Sequence, residues 1–120
     1  MKKFLIHIHT GRENPTKAAL GFLVALSALK AGHHVDLFLA GDGASLIGDQ
    51  ALESVEGKGT GKLNDHYKAL MEGGARFYVS GMSAKARGLE EADLAGKPAE
   101  FAMPDVLVKL AAEADVVLSY

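Results

Sequence analysis

The sequence predicts a three-layer α/β/α domain built on a parallel β-sheet. Short apolar segments typical of buried strands alternate with longer segments at helical spacing. The first helix connects two such strands as a βαβ unit, which requires the strands to be parallel. The 120 residues are 48% hydrophobic and 23% charged, ordinary values for a folded chain. We therefore expect one domain spanning residues 1–120.

The first strand is predicted over residues 3–9, where both faces of the segment are mostly apolar. A polar turn over residues 11–14 follows. Asn14 and Pro15 are then typical of a helix N-cap followed by proline at the first helical position. The helix is predicted to extend to about Ala31, with Gly32 as its C-terminal cap.

This first helix is apolar on all sides, because the residues from Ala18 to Leu29 leave almost no polar face. Such a helix has to be covered on both sides, and a chain of this size has little to place outside it. We therefore predict that a second subunit covers the helix in a homo-oligomer. Gly21, unfavourable inside a helix by about 1 kcal/mol relative to Ala, would then allow another backbone to approach closely.

The second strand is predicted over residues 35–40, and residues 44–52 are weakly helical. The alternate glycines of residues 56–62 predict a mobile loop without regular structure. Leu63, Tyr67 and Leu70 have helical spacing, which predicts a helix over residues 63–72.

The third strand is predicted over residues 76–79. It leads into residues 80–88, a Ser/Gly turn followed by a short basic segment. After an acidic connection, a fourth strand is expected over residues 100–103 and a last strand over 116–119. Pro104 opens the helix between them, and its inner face is predicted to consist of Val106, Leu107, Leu110 and Ala111.

Composition excludes several classes of function. The formal net charge of −2 provides no basic field for nucleic acid, and no apolar stretch is long enough to span a bilayer. We expect a cytoplasmic protein with neither nucleic acid nor membrane as a partner. The chain has no cysteine, which excludes disulfides, zinc–thiolate sites and thiol catalysis.

The candidate site is the edge of the sheet where parallel strands have their carboxyl ends, since ligands bind there in open α/β sheets. Backbone N–H groups, hydroxyls and cations at this edge suit a small anion. Alternatively, the serines cap the short helix and Arg87 pairs with a carboxylate. The candidate ligand-binding residues are Thr10, Gly11, Asp42, Ser80, Gly81, Ser83, Lys85 and Arg87.

Other sites have weaker support. His7 and His9 share a face of the first strand and are candidate metal ligands, although buried histidines are more often simply hydrogen-bonded. Residues 41–46 and 57–62 lack the glycine spacing of dinucleotide and phosphate loops, so no cofactor is expected. Ser80 and Ser83 match no serine-nucleophile motif, so no catalytic residue is assigned and an enzyme is not favoured.

The chain resembles the DsrE/DsrF-like family of small α/β proteins, which includes subunits of bacterial sulfur relay systems. The resemblance covers nearly the whole chain and follows the order and spacing of four segments. These are Thr10-Gly11-Arg12-Glu13-Asn14-Pro15-Thr16-Lys17-Ala18-Ala19, Gly32, Phe38-Leu39-Ala40-Gly41-Asp42 and Ala84-Lys85-Ala86-Arg87-Gly88.

The resemblance implies a five-stranded parallel sheet of order 4-3-2-1-5 and assembly into trimers or hexamers. In sulfur-carrying members a cysteine at the start of the last loop accepts a persulfide, sometimes with another three positions on. Ser80 and Ser83 occupy these positions here. A serine hydroxyl is a far weaker nucleophile than a thiolate and cannot hold a sulfane sulfur.

We therefore expect an oligomeric protein that binds a small anion or a partner protein without thiol chemistry. One alternative is a metal-dependent enzyme that uses His7 or His9 with Asp42. The other is a structural subunit that completes a hetero-oligomeric sulfur relay complex.

Overall fold

The computed structural model describes residues 1–120 and contains seven strands and five α-helices. Two 3₁₀ segments, Gly41–Ile47 and Glu91–Leu94, supplement them. In chain order the elements are β1 (Lys3–Ile8), α1 (Pro15–Lys30), β2 (His34–Leu39), α2 (Asp49–Ser54), β3 (Glu56–Gly57), β4 (Gly61–Lys62), α3 (Leu63–Glu72), β5 (Arg76–Ser80), α4 (Gly81–Ala86), β6 (Ala99–Ala102), α5 (Pro104–Glu113) and β7 (Val116–Ser119).

Five of the strands form one sheet in the order β6-β5-β2-β1-β7, and every neighbouring pair is parallel. Counted within this sheet alone, the order is fourth, third, second, first, fifth along the chain. The α/β fold with a five-stranded parallel sheet is confirmed. The predicted strands and main helices lie within one or two residues of the observed ones.

The two faces of the sheet are covered unequally. One face holds the main core, in which Ile6 of β1, Leu37 of β2 and Phe77 of β5 pack with α1 and α3. The other face holds a small cluster of Leu5, Phe38 and Ala102, and α5 is the helix that packs against it. The predicted inner face of α5 is observed, since Val106, Leu107, Leu110 and Ala111 all contact this cluster.

Both ends of α1 follow from local sequence. Asn14 Oδ1 accepts a hydrogen bond from the Lys17 backbone N–H at 3.1 Å, and Pro15 occupies the first turn. At the other end Gly32 has a φ of +91°, and its N–H donates to the Leu29 carbonyl while that of His33 donates to Ala28. This is a Schellman motif, which favours glycine because only glycine adopts positive φ without strain.

The chain itself covers most of α1. The apolar sequence of this helix is therefore no evidence that a second subunit covers it. Phe22 and Ala25 are fully buried, while Leu20, Leu23 and Val24 are only partly exposed. A Cβ atom at Gly21 would lie 2.8 Å from Ile8 Cδ1 of the same chain. Gly21 therefore lets α1 approach β1, and neither feature requires a second subunit.

Residues 56–62 contain a short antiparallel hairpin, β3–β4, so the prediction that they lack regular structure was wrong. Gly59 and Gly61 adopt positive φ, which allows the chain to turn between the two strands. Thr60 Oγ1 donates to the Thr16 carbonyl at 2.9 Å, and the Lys58 N–H donates to Thr16 Oγ1 at 3.0 Å. These contacts hold the hairpin against the start of α1.

The remaining differences concern short segments at the edge where the strands have their carboxyl ends. Residues 41–47 form a 3₁₀ segment before α2, whereas the short helix expected after the third strand is present as α4. None of the helices is both long and apolar enough to cross a membrane.

Candidate functional site

An ion pair between Asp42 and Arg87 joins two segments at the carboxyl ends of the strands. Asp42 follows β2, and Arg87 follows α4. Arg87 Nη2 donates to Asp42 Oδ1 at 2.7 Å, and Nη1 donates to the Ser83 carbonyl at 3.0 Å. The Asp42 side chain is 60% exposed, so the pair lies at the surface and faces solvent.

A cleft of about 410 Å³ opens beside this ion pair. No hydrophobic residue lines it. Its walls are formed by Arg12, Glu13, Asp42, Ser45 and Arg87. A cleft of this size and polarity suits a small charged ligand rather than an apolar one.

Most polar groups of the cleft are held in place by bonds within the chain. Both oxygens of the Glu13 carboxylate accept from the Gly11 N–H, at 2.9 and 3.1 Å. Ser45 Oγ donates to the Asp42 carbonyl at 2.8 Å. Arg12, in contrast, forms no ion pair. The cleft therefore presents one guanidinium group without a partner in the chain.

A second cleft, of about 230 Å³, adjoins the first and shares Arg12, Ser45 and Arg87 with it. Its other walls come from α2 and from the segment after α4. They are formed by Gly48, Asp49, Gln50, Ala51, Leu89 and Asp93.

Ser80 and Ser83 have structural roles. Ser80 is buried, and its Oγ accepts from the Ser83 N–H at 3.2 Å as the N-cap of α4. Ser83 Oγ accepts from the Gly41 N–H at 2.8 Å and so connects α4 to the end of β2. The alternative prediction is matched by Ser80, which caps the short helix, and by Arg87, which pairs with a carboxylate, whereas Ser83 is not a cap.

The other predicted residues divide into two groups. Thr10 is buried, and Gly11 allows a close backbone approach, because a Cβ atom there would clash with the Asp42 carbonyl. Gly81 and Lys85 line neither cleft. Of the eight predicted residues, the first cleft is lined by Asp42 and Arg87.

The prediction did not include Arg12, Glu13 or Ser45. Arg12 and Glu13 come immediately after Thr10 and Gly11, at the carboxyl end of the first strand, so the same rule that selected Thr10 extends to them. Ser45 lies on the 3₁₀ segment, whose turns no motif in the sequence indicated.

His7 and His9 line neither cleft. The His7 ring packs edge-on against Phe38 and lies 5.3 Å from the His9 ring, centroid to centroid. Burial lowers the pKa of His7, and the nearby His9 lowers it further. His7 Nε2 is buried without a hydrogen-bond partner.

The chain brings together no group of three or more His, Asp or Glu side chains that could hold a metal ion. Asp42 is paired with Arg87 and does not form such a group with His7 and His9. The alternative of a metal-dependent enzyme therefore lacks a ligand set within one chain.

Comparison with known proteins supports the fold. Over its full length the chain is similar to the crystal structure of the ychN protein from E. coli, with a TM-score of 0.83 and 17% identity, and all of that chain is covered. It is also similar to protein MTH1491 of unknown function from Methanobacterium thermoautotrophicum, with a TM-score of 0.72, 14% identity and complete coverage of both chains.

One relative is closer in sequence. The uncharacterized protein MJ0760 of Methanocaldococcus jannaschii is 35% identical over 85 residues, which are 71% of this chain. The chain spans only about a third of that longer protein, 31% of its length. The sequence profile of the DsrE/DsrF-like family matches residues 2–120. Because this match extends over almost every residue, the chain belongs to the DsrE/DsrF-like family.

Proposed function

We propose that this protein binds a small anionic ligand in the cleft between Arg12 and Arg87 and does so without thiol chemistry. The observation that supports the proposal most directly is the lining of the cleft. Two of its five lining residues are arginines, and no hydrophobic residue is present. Guanidinium is planar and permanently charged, and it suits the oxygens of phosphate and carboxylate groups.

The position of the cleft supports the same proposal. Arg12 follows β1, Asp42 follows β2 and Arg87 follows the helix after β5. These are adjacent strands of the parallel sheet, and their carboxyl ends form the edge where ligands bind in open α/β sheets.

The absence of cysteine limits the chemistry. Ser80 and Ser83 are engaged as a helix cap and as an acceptor for Gly41. Their hydroxyls replace thiols that would be needed to accept sulfur. We therefore propose binding rather than sulfur transfer as the role of this edge.

The test is a titration with inorganic phosphate, in which binding is measured from amide chemical shifts and by calorimetry. Arg12→Ala and Arg87→Ala are expected to weaken binding at least about tenfold, about 1.4 kcal/mol each. Arg76→Ala is the matched control, because Arg76 pairs with Glu100 away from the cleft. Unchanged binding in the Arg12 and Arg87 variants would refute the proposal.

Self-association is the second part of the proposal. Three partly exposed apolar residues of α1, Leu20, Leu23 and Val24, support it, as do the exposed Val108 of α5 and Val117 of β7. Native mass spectrometry tests this part. A trimer or hexamer is the expected result, and a monomer at micromolar concentration would contradict it. A partner protein bound in the same assembly would instead appear as a defined additional mass.

A further inference from the structure

We infer that the ligand is a nucleoside monophosphate, with its phosphate at Arg12 and Arg87 and its uncharged nucleoside in the adjoining cleft. This inference rests on the proposed anion-binding function and specifies the class of anion. It depends on how the two clefts are joined, on the charges that remain unpaired, and on the composition of the second cleft.

The two clefts meet at the arginines. Arg12, Ser45 and Arg87 line both the 410 Å³ cleft and the 230 Å³ cleft. An anionic group held by the guanidinium groups therefore lies at the junction and not at a closed end. A ligand with only an anionic group would leave the second cleft empty, whereas a ligand with a body attached to that group can occupy both.

Each carboxylate of the clefts accepts from a donor in the chain and is oriented by it, and two of them, Asp42 and Asp49, pair with a cation. The four pairs are Glu13 with the Gly11 N–H, Asp42 with Arg87, Asp49 with Lys97, and Asp93 with the Glu90 N–H. Arg12 has no such partner. Arg12 is thus the cleft cation whose hydrogen-bond donors are available to a ligand at the junction.

The absence of a phosphate loop also limits the charge of the ligand. Diphosphates and triphosphates are generally held by glycine-rich loops, a lysine and a metal ion. Residues 41–46 and 57–62 do not have that glycine spacing, and β3–β4 uses the glycines of residues 57–61 for a hairpin. A single phosphate group can be held by the guanidinium donors of Arg12 and Arg87 without such a loop.

The second cleft has the composition expected for a heterocycle. Leu89 is partly buried and Ala51 buried, and both provide apolar surface. The Gln50 side chain is exposed, and its amide makes no hydrogen bond within the chain. A side-chain amide can donate and accept at once, so it can pair with the edge of a base, and glutamine pairs in this way with adenine.

The experiment compares inorganic phosphate, adenosine and adenosine 5′-monophosphate by calorimetry on the full chain. We expect the monophosphate to bind at least about tenfold more tightly than either of the other two. Gln50→Ala should reduce the affinity for the monophosphate by roughly two- to twelvefold, the range for one hydrogen bond, and should leave phosphate binding unchanged. Arg12→Ala should weaken the binding of both phosphate and the monophosphate, and Arg76→Ala should change neither affinity.

The outcomes separate this inference from the function on which it rests. Equal affinities for phosphate and the monophosphate would overturn the nucleoside part and leave anion binding intact. Adenosine binding as tightly as the monophosphate would overturn the placement of the phosphate at Arg12. If neither phosphate nor the monophosphate binds, both the inference and the proposed function are wrong.

Discussion

Arg87 and Asp42 form an ion pair of 2.7 Å across 45 positions of the sequence, and this contact determines which cation the cleft presents. Arg87 is fixed by Asp42 and by the Ser83 carbonyl, whereas Arg12 on the opposite segment is unpaired. The cleft thus combines one neutralised and one available guanidinium group. An anion that enters has to share Arg87 with Asp42 or bind mainly at Arg12.

This arrangement predicts that Asp42→Asn raises the affinity for phosphate. The substitution removes a negative charge from the cleft and releases Arg87 for the ligand. We expect an increase of roughly three- to tenfold, about 0.7–1.4 kcal/mol, measured by calorimetry at low ionic strength. The free energy of unfolding should change little, because exposed ion pairs contribute only about 0.2–1 kcal/mol.

Glu100→Gln is the control for this prediction. Glu100 pairs with Arg76 at 3.3 Å, and both side chains are about half exposed, but neither residue lines the cleft. The control removes the same charge from the protein and should leave phosphate affinity unchanged. Weaker phosphate binding by the Asp42 variant would contradict the role assigned to Arg87.

Lys97 is predicted to hold the second cleft together. Its side chain is only 10% exposed, and Nζ contacts the Ile47 carbonyl at 2.9 Å, the Asp93 carbonyl at 2.6 Å and Asp49 at 2.8 Å. Lys97→Met removes these donors, and we expect a loss of roughly 2–3 kcal/mol in the free energy of unfolding. Urea denaturation measures the loss, and hydrogen exchange should increase in residues 45–54 and 90–97.

Lys85→Met is the matched control, because Lys85 is exposed and lines neither cleft. Its effect should stay within about 0.5 kcal/mol, as for most surface substitutions. Equal effects of the two substitutions would show that Lys97 contributes charge rather than specific hydrogen bonds.

The elements that were predicted correctly from the sequence depend on local interactions. Asn14, Pro15 and Gly32 determine the ends of α1 through contacts within a few residues, and these signals are visible in the sequence. The β3–β4 hairpin was missed because it depends on Thr16, more than 40 positions away. Alternate glycines alone gave no indication of that contact.

The candidate site was predicted at the edge of the sheet where the two clefts lie, but the predicted set lacks three residues that line the first cleft. The rule on carboxyl ends of strands locates the edge. It does not indicate which side chains point into a cleft and which are used internally. Ser80 and Ser83 were predicted to bind a ligand because of their type, and in the structure their hydroxyls accept hydrogen bonds from backbone N–H groups.

Ser80→Ala tests the capping role. It removes the acceptor for the Ser83 N–H in a buried position, and the loss of an N-cap costs about 1 kcal/mol. We expect that decrease in the free energy of unfolding, measured with urea. The exposed Ser27 of α1 provides a control, and Ser27→Ala should not destabilise the protein. An unaffected Ser80 variant would mean that the cap contributes nothing to stability.

Gly11→Ala tests the close approach beside the cleft. A Cβ atom would clash with the Asp42 carbonyl, and backbone cannot move as easily as the end of a side chain. We expect a loss of about 1–3 kcal/mol in the free energy of unfolding, together with altered amide shifts for residues 41–45. At Gly48 the nearest atoms to an added Cβ lie at 3.5 Å, so Gly48→Ala should be tolerated. Similar stability of the two variants would refute the steric explanation.

His7 predicts how stability depends on pH. Burial, and then the neighbouring His9, lower the pKa of His7 below its ordinary value of 6.5. The unfolded chain therefore binds the proton more readily than the folded one. The contribution of His7 to stability is fully present above pH 6.5 and is lost as the pH falls through the lower pKa of the folded state.

His7→Phe should remove this dependence. Phenylalanine preserves the aromatic contact with Phe38 and eliminates the buried, unpartnered Nε2. We expect a shallower decrease in the free energy of unfolding between pH 7 and pH 5, and no loss of stability at pH 7, because no buried polar atom is left unsatisfied. Urea denaturation across this range measures both. If the variant and the natural protein lose stability equally between pH 7 and pH 5, a group other than His7 causes that loss.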